Sequence, residues 1–173
     1  MCIMRVLRYA VMRHAALCLV FAAPAAIEAQ VARPGVSIEA TWRLLEWRIG
    51  TETLRPPFVD GLWVVRDGRI VLQLHRAGRD SVLDRFASGH YTVAKATFTY
   101  AYDQGLDVTR HAGGTVSARD TIPFSGTRGF RETHTREATE YKSADGQAIL
   151  LVRGDTLVYS EQGVIVRRWL RAR

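Results

Sequence analysis

The sequence predicts an all-β domain, an antiparallel up-and-down barrel of about eight or nine strands with one short helix. Three observations lead there. From Ser37 onward, turn signals recur at intervals of about 8–12 residues, the spacing of a sandwich or barrel. The segments between them alternate apolar and polar with a period of two, as half-buried strands do. Helical periodicity is scarce, and closing so many strands into a barrel removes the exposed edges they would otherwise leave.

The first segment lies outside this pattern. Arg5, Arg8 and Arg13 precede an apolar run from Ala15 to Ala23, and Ile27-Glu28-Ala29 ends on a small residue. This is the build of a cleaved secretory signal peptide over residues 1–29. The 14 residues between Arg13 and Glu28 fall short of the roughly 20 apolar residues a membrane helix needs, so no stable membrane insertion is expected after cleavage. The remaining 144 residues, from Gln30, have the length of one domain able to build its own core. Cys2 and Cys18 leave with the signal, so residues 30–173 can form neither a disulfide nor a thiolate metal site. The expected location is periplasmic or secreted.

Residues 30–173 carry 21 basic and 16 acidic side chains, and only Lys95 and Lys142 are lysines. The arginines are scattered among acids, without the runs that mark nucleic-acid binding, so no nucleic-acid partner is expected.

Gln30–Val36 is a short Pro/Gly lead-in. Gly61–His75 reads as a hairpin about Asp67-Gly68, a type I′ signal. Its register pairs Val65 with Ile70 and Trp63 with Leu72, and places all four with Leu74 on the core face. Asp80 or Ser81 is positioned to cap a short helix through Ala87, bounded by Gly78 and Gly89, with Val82, Leu83 and Phe86 on its buried side. This helix is the candidate lid. His90–Val93 then turns at Ala94-Lys95-Ala96 into a strand with Phe98, Tyr100 and Tyr102 on one face. Asp103-Gln104-Gly105 is expected to turn the chain again, and Gly113–Ser125 reads as loop because Pro123 disfavours a central strand. Ala148–Val152, Thr156–Ser160 and Val164–Leu170 form a meander, separated by Arg153-Gly154-Asp155 and Glu161-Gln162-Gly163.

Taken in order, Ala40-Thr41-Trp42-Arg43-Leu44-Leu45-Glu46-Trp47, Gly61-Leu62-Trp63-Val64-Val65 with Asp67-Gly68-Arg69-Ile70, and Phe86–Val93 resemble the bacterial lipocalin-like domains, exported and largely uncharacterised. The resemblance spans roughly Val36 to Leu170. It implies a ligand-binding cup, with Trp42 plugging the closed end beneath Arg168 or Arg167, where a guanidinium stacks over an indole for about 0.5–2 kcal/mol.

The residues themselves name candidates without naming a reaction. Trp63, Tyr91, Phe98, Tyr100 and Tyr102 are the ligand-lining set, since the inward face of a small barrel is both core and cavity wall. The histidines left after cleavage, His75, His90, His111 and His134, stand 15 to 23 residues apart with no metal-ligand spacing, so neither metal nor cofactor is expected. Arg128, Arg131, Glu132, His134, Arg136, Glu137 and Glu140 make a dense polar stretch, read as an exposed strand and turn. Glu132 and His134 share a strand face. No Gly-x-Ser-x-Gly occurs, and Gly113-Gly114 lacks the Lys-Ser/Thr of a phosphate loop. The leading expectation is a protein that buries a small hydrophobic or amphipathic ligand, at about 25 cal/mol per Å² of apolar surface. The rivals are a barrel enzyme isomerising, cyclising or hydrating a lipid-like substrate, and a cell-envelope interaction module.

Overall fold

The computed structural model describes residues 37–162 and 164–173. The expected signal peptide and the lead-in through Val36 lie outside the described residues. Among those described there are twelve strands and no helix: β1 (Ala40–Ile49), β2 (Glu52–Leu54), β3 (Val59–Arg66), β4 (Arg69–Ala77), β5 (Ser81–Ala94), β6 (Thr97–His111), β7 (Val116–Asp120), β8 (Thr127–His134), β9 (Thr139–Ser143), β10 (Ala148–Arg153), β11 (Thr156–Glu161) and β12 (Val164–Arg171). All pairings are antiparallel. Ten strands close a barrel in the order β12-β11-β10-β9-β8-β6-β5-β4-β3-β1, and β1 returns to β12. β2 continues the pairing of β1, and β7 pairs the outer half of β6. The strands exceed the expected eight or nine partly because the polar stretch 128–140 is divided between β8 and β9.

The hairpin β3–β4 has the predicted register, Val65 opposite Ile70 and Trp63 opposite Leu72. Asp67 and Gly68 both take positive φ, 53° and 74°, as a type I′ turn demands. Trp63, Val65, Ile70, Leu72 and Leu74 are all buried. Between β5 and β6 the turn narrows to Lys95 and Ala96, which also take positive φ.

Two local expectations fail for the same reason. Asp80–Ala87 is not a helix: Ser81 onward is β5, with Val82 opposite Ala77 of β4 and Arg110 of β6. A seven-residue helix gains little by itself, whereas this segment as strand gains a hydrogen-bonded ladder on both sides. Phe86 is consequently exposed rather than buried. Asp103-Gln104-Gly105 is likewise no turn. β6 runs through it, and Asp103 is the extra residue of a β-bulge where the register passes from Ser88–Gln104 to Gly89–Tyr102. Gly89 allows this close approach, because a Cβ there would lie 1.9 Å from the Ala101 carbonyl oxygen. Gly113–Ser125 is loop at both ends, but encloses β7, all of whose residues are exposed.

The barrel has unlike ends. At one, the Asp67-Gly68 and Lys95-Ala96 turns meet the segment before β1, and Ile38, Trp42, Phe98, Phe130 and Tyr141 fill the interior, each at most 2% exposed. The Trp42 indole N–H donates to the Ile38 carbonyl at 2.8 Å. The expected plug is therefore present, but its cation is Arg171, 4.6 Å from the Trp42 ring. Register excludes the two expected arginines. Trp42 lies opposite Arg171, while Arg168 faces outward and Arg167 lies opposite Trp47, farther up the barrel. The other end is open.

Candidate functional site

Alternation along the strands decides what reaches the open end. Trp63 on β3, Leu72 on β4, Tyr100 and Tyr102 on β6, Leu150 on β10, Tyr159 on β11 and Trp169 on β12 all point inward, and a cavity of about 130 Å³ lies among them. A bulge on β12, where the register with β11 shifts between Tyr159 and Ser160, turns both Val166 and Arg167 toward it. Trp63 forms the floor with Tyr100 and Trp169, at ring-centre distances of 6.2 and 6.4 Å.

The mouth is partly covered, but not by the helix expected for that role. The segment between β7 and β8 folds across it instead. Thr121 N–H donates to the Gly105 carbonyl at 3.0 Å, and a Cβ on Gly105 would lie 2.1 Å from the Thr121 carbonyl oxygen. This close pass sets Phe124 edge-on to Tyr100 and Tyr102, 5.3 and 5.4 Å between ring centres. Arg128 lies over the Phe124 ring at 4.3 Å.

Three guanidiniums and one carboxylate line the cup: Arg85, Arg128, Arg167 and Glu161. Arg85 is paired in bidentate fashion with Asp107, 2.7 Å from Nε and 2.5 Å from Nη2. Arg128 donates to the Tyr159 hydroxyl at 2.9 Å, and that hydroxyl donates to Glu161 at 3.1 Å. Arg167 lies over the Trp47 ring at 4.6 Å, and its enclosed Nε has no hydrogen-bond partner among the described residues. Burial pushes the Arg167 guanidinium below its ordinary range. Burial also raises the phenols, Tyr102 to about 12 and Tyr100 farther still. These phenols stay protonated as hydrogen-bond donors and are poor general bases near neutrality.

Of the five sequence-selected residues, Trp63, Tyr100 and Tyr102 line this cavity. Tyr91 and Phe98 do not. They sit at the closed end, where Phe98 packs against Tyr91, Phe130 and Tyr141 at 5.7–6.2 Å. The Tyr91 hydroxyl donates to Glu39, and that of Tyr141 to Glu132 at 3.0 Å. Arg167, expected at the plug, and Arg128, expected on an exposed polar strand, line it instead, with Tyr159, Trp169 and Phe124. Arg167 lies two residues from Trp169 on an expected strand, and therefore on the same face.

Glu132 and His134 do meet, 3.3 Å apart, on the rim of the closed end and away from the cavity. His75 pairs with Asp84 at 2.7 Å and His90 with Asp103 at 3.2 Å. Among the described residues no group of His, Cys, Asp or Glu is arranged to hold a metal ion, and no helix is long and apolar enough to cross a membrane. A larger groove, about 730 Å³, runs along the outer face beside Val71, Phe86 and Leu106. It is shallow and open, whereas the cup is walled by rings and carries a guanidinium whose Nε has no partner among the described residues. Comparison of the chain with protein-family models, curated proteins and solved structures finds no match.

Proposed function

We propose that this is an exported, lipocalin-like binding protein, freed of residues 1–29 and holding a small hydrophobic or amphipathic molecule in the cup at the open end of its barrel. The observation that supports the reading is the cavity itself. Protein interiors are close-packed, with few voids larger than a water molecule, yet about 130 Å³ stands open beneath Phe124. The closed end of the same barrel is filled. The walls suit an amphipathic ligand, with Trp63, Leu72, Leu150 and Trp169 offering apolar surface and Tyr100, Tyr102 and Arg167 offering donors. The volume is small against the 300–1,000 Å³ typical of ligand sites. The occupant is a compact molecule, or one whose tail leaves past Phe124.

Native mass spectrometry of the protein recovered from its producing cells tests this. The expected result is a chain beginning at Gln30 that carries an added mass lost on denaturation. A chain recovered empty, whose Trp63 and Trp169 emission does not respond to a neutral aromatic solute such as toluene, overturns it.

A further inference from the structure

Arg167 poses a problem that the rest of the barrel does not. A buried charge is costly unless it is paired and hydrogen-bonded. The other two arginines of the cup obey this rule, Arg85 through Asp107 and Arg128 through Tyr159 and Glu161. Arg167 does not. The polar groups that face it are the phenols of Tyr159, Tyr102 and Tyr100, with the Arg85 guanidinium adding repulsion, and its Nε is enclosed without an acceptor. The Trp47 ring on one side holds the guanidinium flat. Among the described residues no acceptor meets this Nε, and Arg167 lines the cavity.

We infer that Arg167 is the anchor for a carboxylate, and that the ligand class of the cup is a small aromatic monocarboxylic acid. This rests on the cup being a binding site. A guanidinium offers paired N–H groups matched to the two oxygens of a carboxylate, and such charge-assisted pairs are shorter and stronger than neutral ones. The Tyr100 and Tyr102 phenols, held in their protonated form by burial, are further donors beside it. Size sets the body of the ligand. An engineered apolar cavity of about 150 Å³ takes up benzene, so about 130 Å³ accommodates roughly one ring. The Trp63, Trp169 and Tyr100 rings give that ring flat or edge-on neighbours.

The test compares benzoate with benzamide, which has the same ring and nearly the same shape but no charge, by calorimetric titration of the protein and of Arg167→Gln and Arg167→Lys. Benzoate should bind the unaltered protein at least about tenfold more tightly than benzamide. Arg167→Gln should abolish that preference, and an unchanged far-ultraviolet circular dichroism spectrum reports that the variant is folded. Arg167→Lys, a point charge without the fork, should keep only part of the preference. Equal affinities for the two solutes in the unaltered protein, or a preference surviving in Arg167→Gln, would overturn the inference. If benzamide binds without any preference for benzoate, the anion anchor fails and the binding cup stands. If neither solute nor toluene binds, the cup fails with it.

Discussion

β12 carries two arginines four residues apart, and each lies 4.6 Å over an indole of β1, Arg171 on Trp42 and Arg167 on Trp47. By stacking geometry the two are the same. They differ in what their N–H groups meet. Arg171 donates to the Ser37 carbonyl at 2.9 Å and pairs with Asp155 at 3.6 Å, so its charge is spent within the chain. Arg167 faces phenols and an empty volume. The first arrangement is a plug and the second lines a cavity, and a stack of cation on ring does not tell them apart. The hydrogen-bond inventory does, because the free energy of a buried guanidinium is decided by its acceptors.

The contrast extends to the two ends of the barrel. The closed end turns carboxylates on its phenols, Glu39 on Tyr91 and Glu132 on Tyr141. The open end turns guanidiniums on its phenols, Arg128 and Arg167 on Tyr100, Tyr102 and Tyr159, with one carboxylate, Glu161, accepting from Tyr159. One end is filled; the other encloses a cavity lined by three guanidiniums and one carboxylate.

The largest effect should come from emptying the filled end. Trp42→Ala removes a fully buried indole, and the expected loss is about 3–5 kcal/mol of folding free energy in urea denaturation. Phe124→Ala, on the half-exposed lid, should cost no more than about 1.5 kcal/mol. A comparable loss at both positions would mean that the lid is core and not a cover.

The two arginines should then part company. Arg171→Met loses its carbonyl acceptors and the charged stack, for about 1–3 kcal/mol of destabilisation. Arg167→Met removes a half-buried guanidinium whose Nε has no acceptor among the described residues, together with its stack on Trp47, and should cost less than Arg171→Met. Paired urea melts decide this, and equal destabilisation would show that Arg167 is structural.

The smallest effect is in the alkaline range. Tyr91, Tyr100, Tyr102, Tyr141 and Tyr159 all have their phenols raised, by burial first. A group raised in the folded state contributes stability that is fully present below its unfolded value, about pH 10 for tyrosine, and is lost as pH climbs through the folded one. Phenolate absorbance should therefore lag behind free tyrosine above about pH 10 and then rise together with unfolding, near the value of about 12 held by Tyr102. Tyrosines titrating freely in the folded protein would contradict the burial at both ends.

Local patterns carried much of this architecture. Asp67-Gly68 fixed a hairpin and its register, because only residues tolerating positive φ make that turn. The alternation of Phe98, Tyr100 and Tyr102 fixed an inward face, because side chains alternate along any strand. The C-terminal meander followed from its turns and strand-forming residues. The all-β class and the barrel are determined at this level.

Other features were decided by neighbours that the sequence does not place. Ser81–Ala87 has local signals for a helix and becomes a strand because β4 and β6 lie on either side of it. Asp103-Gln104-Gly105 has the composition of a turn and becomes a bulge because the flanking ladders continue past it. Depth along the axis is likewise tertiary. Phe98 and Tyr102 share one face of one strand, four residues apart, yet Phe98 belongs to the plug and Tyr102 to the cup. The same offset along β12 separates Arg171 from Arg167. Alternation determines which side of a strand a residue faces. How far up the barrel it lies, and so whether it meets packed side chains or an open cavity, is set by the stagger between strands, and only the closed structure fixes that.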